Sequence, residues 1–95
     1  MNIQIQSINF VAKHQLIEFV KKKLNKLISI HYNMINADVY LKVDKLDAHD
    51  NKVVEIKIHS SEGYFFAKKQ SNSFEESTDL ASQALRKQII KNKKR

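Results

Sequence analysis

The residues best placed to do chemistry are cations. Lys22, Lys23 and Lys26 stand close together early in the chain, and Arg86, Lys87, Lys91 and Lys94 cluster towards its end. At about 100° per residue, the first three fall on one flank of a helix. Lys87, Lys91 and Lys94 follow at spacings of four and three, which places them on one helix side. Rows of this kind suit contact with phosphate oxygens, which call for point charges and guanidinium forks, not a nucleophile. The competing explanation is that lysines on an exposed helix face are merely solvated. Like charges four residues apart slightly destabilise a helix, so their concentration asks for a reason other than stability. If the two helices lie side by side, the rows can face each other across one surface.

Other chemistry has less support. The sequence holds no Gly-rich phosphate loop, no HExxH and no nucleophile elbow. No catalytic role and no cofactor are therefore expected. His14, His31, His49 and His59 are scattered without ligand spacing. His49 beside Asp47 and Asp50 is better explained as a polar turn than as a metal set. Tyr40, Tyr64 and Phe66 fall on the outward side of strands by alternation. There they could stack single-stranded bases, or pack partly against neighbouring strands.

Composition narrows the partners. The chain has 95 residues with 42% hydrophobic and 28% charged, which makes one folded domain spanning 1–95. A chain of this size buries roughly 60–65% of its unfolded surface. Its formal net charge is +7 and its pI about 9.7, which favours a polyanion, nucleic acid ahead of an acidic membrane surface. The absence of Cys excludes disulfides and thiolate metal sites and fits a reducing cytoplasm. The string MNIQIQSINF lacks the cationic start and long apolar run of a signal peptide, and no run of about 18 apolar residues exists to span a membrane.

The elements that must position the cations are legible from periodicity. Ile3 and Ile5 alternate with Asn2, Gln4 and Gln6 in a strand over 2–8, and Asn9 breaks the pattern. Leu16, Val20, Leu24 and Leu27 form the stripe of a helix over 12–30, with Lys23 close enough to the stripe that it must snorkel. Lys13 is a poor N-cap, and His31-Tyr32-Asn33 reads as the exit. Val39, Leu41 and Val43 mark a strand over 37–45. Residues 46–51 read as a polar turn, followed by a strand over 52–59 with Val54, Ile56 and Ile58 inward and Val53 outward. Ser60-Ser61-Glu62-Gly63 reads as a hairpin turn whose Gly suits positive φ. A strand over 64–70 turns Phe65 and Ala67 inward. The last helix covers 73–95, with Ser73 and Glu76 at capping-box spacing, a thin apolar stripe of Phe74, Thr78, Ala81, Leu85 and Ile89, and a frayed basic end over 91–95. The order is β-α-β-β-β-α, an α+β fold. Its four-stranded mixed sheet has the first two strands parallel, the last three antiparallel, and both helices on one face.

Several strings together resemble the short form of the ribosome hibernation-promoting factor family, also called the protein Y or ribosome-associated inhibitor family. They are Met1-Asn2-Ile3-Gln4-Ile5; Leu16, Glu18-Phe19-Val20, Lys23, Lys26 and Leu27; Leu41-Lys42-Val43 with Asp44 and Lys45; and Asp79, Leu80, Leu85, Lys87-Gln88, Lys91 and Lys93. The resemblance covers nearly the whole chain. It departs at the last helix, where Glu75 stands in place of an aromatic residue and Thr78 in place of Ile, and at Lys13, where a Thr cap is common. A less stable domain is expected from these changes, with the basic positions untouched.

The resemblance implies a noncatalytic, cytoplasmic inhibitor of translation with a double-stranded-RNA-binding-domain-like fold. It implies binding to the small ribosomal subunit and its ribosomal RNA near the decoding region, where messenger and transfer RNA are excluded under stress. Family binding residues carry over to Lys23 and Lys26 on the first helix and to Arg86, Lys87 and Lys91 on the second, and helix geometry adds Lys22 and Lys94. The chain stops in Lys-Lys-Arg, with neither an acidic extension nor an added dimerisation domain. The resemblance thus implies a monomer off the ribosome that acts with a second, ribosome-dimerising factor. Two alternatives remain open from the residues: a general double-stranded RNA binder or RNA chaperone, and a module for anionic surfaces or proteins.

Overall fold

Period-two alternation over Asn2–Ile8 builds β1, and an apolar stripe at helical spacing builds α1 over His14–Ile28. There follow β2 (Met34–Val43), β3 (Lys52–Ser60), β4 (Gly63–Ser71) and α2 (Phe74–Lys93). The computed structural model describes residues 2–29, 34–45 and 49–93. The expected exit of α1 at His31-Tyr32-Asn33, residues 46–48 of the expected turn over 46–51, and Lys94 lie outside the described residues. The sheet order is β1-β2-β3-β4, with β1 and β2 parallel and the other pairs antiparallel, as the sequence predicts.

One apolar layer separates the sheet from the helices. Val20, Leu24 and Leu27 of α1 and Ala81, Leu85 and Ile89 of α2 share a cluster with Val39, Leu41, Val54, Ile56 and Ile58 from the two central strands. Phe65 and Ala67 of β4 join it. Both helices therefore cover the same face. Phe10 stacks on Phe74 with ring centroids 4.8 Å apart, and Lys23 reaches Asp79, so α1 and α2 run in the same direction.

Four local outcomes differ from the periodic expectation. First, β2 begins at Met34, earlier than predicted, through a register shift between Met34 and Asn36 that leaves Ile35 exposed. Second, Val53 is outward by alternation yet only 2% exposed. Its cross-strand neighbours are Lys42 and Gln70, and the Gln70 side chain reaches across to donate to the Asp50 carbonyl at 2.6 Å. The stems of such long polar residues cover an apolar neighbour. Third, Thr78 is fully buried, but its hydroxyl donates to the Phe74 carbonyl at 2.7 Å, so the polar substitution leaves no orphaned group there. Fourth, α2 is helical through Lys93, past the point at 91 where fraying is expected.

The start of α2 is tied down by hydroxyls. Ser73 Oγ accepts the Glu76 N–H at 3.1 Å, the expected cap. The return half of a capping box is replaced, because the Ser73 N–H turns to Ser71 Oγ at 3.4 Å. Ser77 Oγ donates to the Lys52 carbonyl at 2.7 Å and lies 2.7 Å from Ser71 Oγ, which fastens the first turn of α2 to β3 and β4. By contrast α1 starts without a side-chain cap at Lys13, as its sequence implies. The hairpin turn places Gly63 at φ +127°, with Ser60 Oγ donating to the Gly63 carbonyl. A Cβ there would meet no atom within 4 Å, so backbone conformation alone asks for Gly.

Candidate nucleic-acid interface

Parallel packing of the two helices sets the position of every cation on them. Leu24 and Leu85 must face the sheet, so residues about 70–100° round each helix axis must face the neighbouring helix or the solvent. Between the helices lies a groove of about 210 Å³ lined by Lys23, Lys26, Leu27, Asp79, Ser82, Gln83 and Arg86. Lys23 forms its inner wall, with Nζ 2.7 Å from Asp79 Oδ1 and 5.6 Å from the centre of the Phe19 ring. The expected snorkelling of Lys23 is therefore towards α2, where a carboxylate receives it.

The structure brings Lys23, Lys26 and Arg86 together as the cations that line this groove, and Lys22, Lys87 and Lys91 lie outside its lining. Lys22 is exposed one step, about 100°, beyond Lys23 on the solvent side of α1. Lys87 and Lys91 are exposed as well, but they lie about 100° and 140° round α2 from Arg86. They occupy its outer crest and do not line the groove. The two lysine rows thus do not face each other; Arg86 is the cation that α2 presents to α1. The cause is the helix period, since Lys87 and Lys91 cannot share a side with Arg86. All six nevertheless lie on the helical layer, which is exposed opposite the sheet. Part of their charge complements the negative dipole ends of two helices pointing the same way.

The opposite, open face of the sheet carries the aromatic residues. Tyr40, Tyr64 and Phe66 are exposed there, as alternation predicts, with Tyr64 at 63%. Lys57 Nζ sits 4.4 Å from the centre of the Tyr64 ring, and the His59 ring is tilted against it with centroids 6.5 Å apart. His59 Nε2 lies 3.4 Å from Asp38 Oδ2. Phe66 is held through its backbone, because Gln88 of α2 both accepts its N–H and donates to its carbonyl. That pair of bonds satisfies backbone groups on an edge strand, where they would otherwise offer a pairing site. Neither Gln88 in this role nor the contact of Asp79 with Lys23 was signalled by the sequence pattern. Among the described residues no three His, Asp or Glu side chains gather as metal ligands. No helix among them is long and apolar enough to cross a membrane.

Comparison with known proteins bears on this arrangement. A family model described as sigma 54 modulation protein / S30EA ribosomal protein matches residues 3–95. A ribosomal subunit interface protein from Coxiella burnetii has the same fold, with a TM-score of 0.88 and 22% identity over 100% of both chains. The N-terminal domain of Protein Y from Thermus thermophilus superposes with a TM-score of 0.80 and 22% identity, over 94% of this chain and 96% of that one. No curated protein sequence matches.

Proposed function

Because this chain belongs to the family of sigma 54 modulation and S30EA ribosomal proteins, we propose that it binds the small ribosomal subunit near the decoding region and holds idle ribosomes inactive. It acts by occupying the path of messenger and transfer RNA under stress, so its work is obstruction and involves no bond making. A second, ribosome-dimerising factor is its expected partner there. The observation that carries this reading is the gathering of Lys22, Lys23, Lys26, Arg86, Lys87 and Lys91 on one helical layer, with Lys23, Lys26 and Arg86 lining the groove between the helices. Lys94, placed with them by sequence, extends the same row on helical spacing.

Contact of this kind releases counterions, so log affinity falls with log salt by about 0.9 per phosphate at the charge density of B-DNA, and by about 0.7 for single strands. Replacing Lys87 and Lys91 together with Glu removes co-sedimentation with small subunits and leaves the circular dichroism spectrum unchanged. Co-sedimentation that survives the double reversal would overturn the assignment of the helical layer. A general duplex-RNA binder would make the same salt-sensitive contacts. Competition separates the two, since a ribosome-directed factor keeps its preference for intact small subunits against excess duplex RNA at physiological salt.

A further inference from the structure

The two edges of the sheet are finished differently. At one edge β4 is guarded, for Gln88 of α2 takes both backbone groups of Phe66, and Lys68 and Lys69 stand exposed on the strand. Covers and charges of this kind keep a sheet edge from pairing with another chain. At the other edge β1 has neither. Among the described residues no hydrogen bond reaches β1 other than its ladder with β2. Its residues, Asn-Ile-Gln-Ile-Gln-Ser-Ile, include no charge, no Pro and no Gly. In a chain of formal charge +7 the first charged side chain is Lys13. Uncharged alternation of this sort is the pattern that pairs most readily with further strands. Ile3 and Ile5 pack against the core yet are only half-buried, so the core is open on this side.

The flank of α1 above that edge is of the same character. Because α2 lies against β3 and β4, α1 covers the β1 side of the sheet. Lys23 reaches α2, and the helix period turns Glu18, Lys21 and Asn25 to the opposite flank, where all three are exposed. Glu18 is the one acidic residue of α1, and with Lys21 it leaves this flank without net charge. His14, 3.7 Å from Glu18, shares the flank, and Ile17 and Ile28 are half-buried beneath it.

We propose that β1 and this flank of α1 dock a second copy of the chain, which pairs antiparallel through its own β1. A two-fold axis through Ile5, perpendicular to the sheet, sets Ile5 against Ile5 of the second copy and Gln4 against the second copy's Gln6. Strands are about 4.8 Å apart and packed helices about 10 Å, so the helical layer continues across the seam. The two α1 helices then run antiparallel, with Glu18 of each beside Lys21 of the other. Pairing uses up β1 and leaves only the guarded β4 edges, so assembly stops at two. The monomer that the family resemblance implies is then the dilute form. Lys23, Lys26 and Arg86 lie between α1 and α2, away from the seam, so the dimer stands or falls independently of the proposed function.

Sedimentation equilibrium from micromolar to near-millimolar protein tests the edge. The wild type is expected to pass from 11.1 kDa towards twice that mass as concentration rises. Gln4→Lys/Gln6→Lys sets like charges opposite one another across the seam and holds the protein at monomer mass. Its thermal midpoint is unchanged, since both positions are exposed. Glu18→Lys weakens the dimer roughly tenfold, and the charge swap Glu18→Lys/Lys21→Glu restores it. A wild type that stays monomeric throughout, its edge left to a strand of another protein or to none, overturns the proposal. So does a dimer that survives Gln4→Lys/Gln6→Lys, or one that Glu18→Lys leaves at wild-type strength. A lowered thermal midpoint in the double Lys variant passes the decision to Glu18→Lys and its charge swap, which lie outside the sheet. Loss of co-sedimentation with small subunits in the wild type would overturn the proposed function and leave the edge standing.

Discussion

The two faces of this protein carry charge in different ways. On the open face of the sheet several opposite charges stand in register across the strands, and His59 with Asp38 is the pair that comes within ion-pair distance among the described residues. Asp38 stands opposite Lys57 and within 3.4 Å of His59, Glu55 stands opposite Lys68, and Lys57 leans over Tyr64. Opposite charges across strands contribute modestly to the stability of a sheet. On the helical layer the charges are mostly unanswered. Apart from His14 with Glu18 at the start of α1, the one ion pair of that layer among the described residues is Lys23 with Asp79. An exposed pair of this kind contributes about 0–1 kcal/mol to stability. Lys22, Lys26, Arg86, Lys87 and Lys91 gain little from the fold that carries them.

This contrast makes graded predictions. The largest concerns salt. If each of the six described cations on the helical layer meets a phosphate, affinity for small subunits falls about 10³-fold between 50 and 200 mM salt, as read by sedimentation. A weak salt dependence would remove the distinction between the faces. Next, truncation beneath the basic layer should be costly. Leu85 is fully buried between α2 and the sheet, so Leu85→Ala is expected to lose about 2–5 kcal/mol in denaturant unfolding. A smaller loss would mean that the helical layer is not held as firmly as its buried stripe implies. Ser77→Ala takes from the Lys52 carbonyl the hydroxyl that donates to it, while Ser71 Oγ keeps its bonds to Ser73, and should cost about 1–3 kcal/mol by the same measurement. Smallest of all is Lys57→Gln on the sheet face, expected to change stability by no more than about 0.5 kcal/mol and to leave small-subunit affinity unchanged. A loss of affinity there comparable to that of the Lys87 and Lys91 reversal would extend the interface to the second face.

Much of the architecture follows from order along the chain. Alternation marks the strands because successive side chains point to opposite faces, and the Leu and Val stripe of α1 follows from 3.6 residues per turn. The Ser73 cap and the demand for Gly63 are equally local, since each concerns a single turn of backbone. The cations, too, are visible as types and spacings. Their final arrangement is not, because it depends on how two helices are rotated against each other. Only packing turned Arg86 towards α1 and left Lys87 and Lys91 on the crest, and only packing brought Asp79 to Lys23 and buried the Ser82 hydroxyl between the helices. The same holds for the stack of Phe10 on Phe74, the Ser71–Ser77–Lys52 contacts, the burial of Val53 and the grip of Gln88 on Phe66. Each joins residues from different elements, and no local period encodes which ones will meet. The sequence by itself determined the elements and the basic character of the helices; the tertiary structure decided which cations line a groove and which stand clear of it, because side-chain contact depends on the rotation and spacing of packed helices.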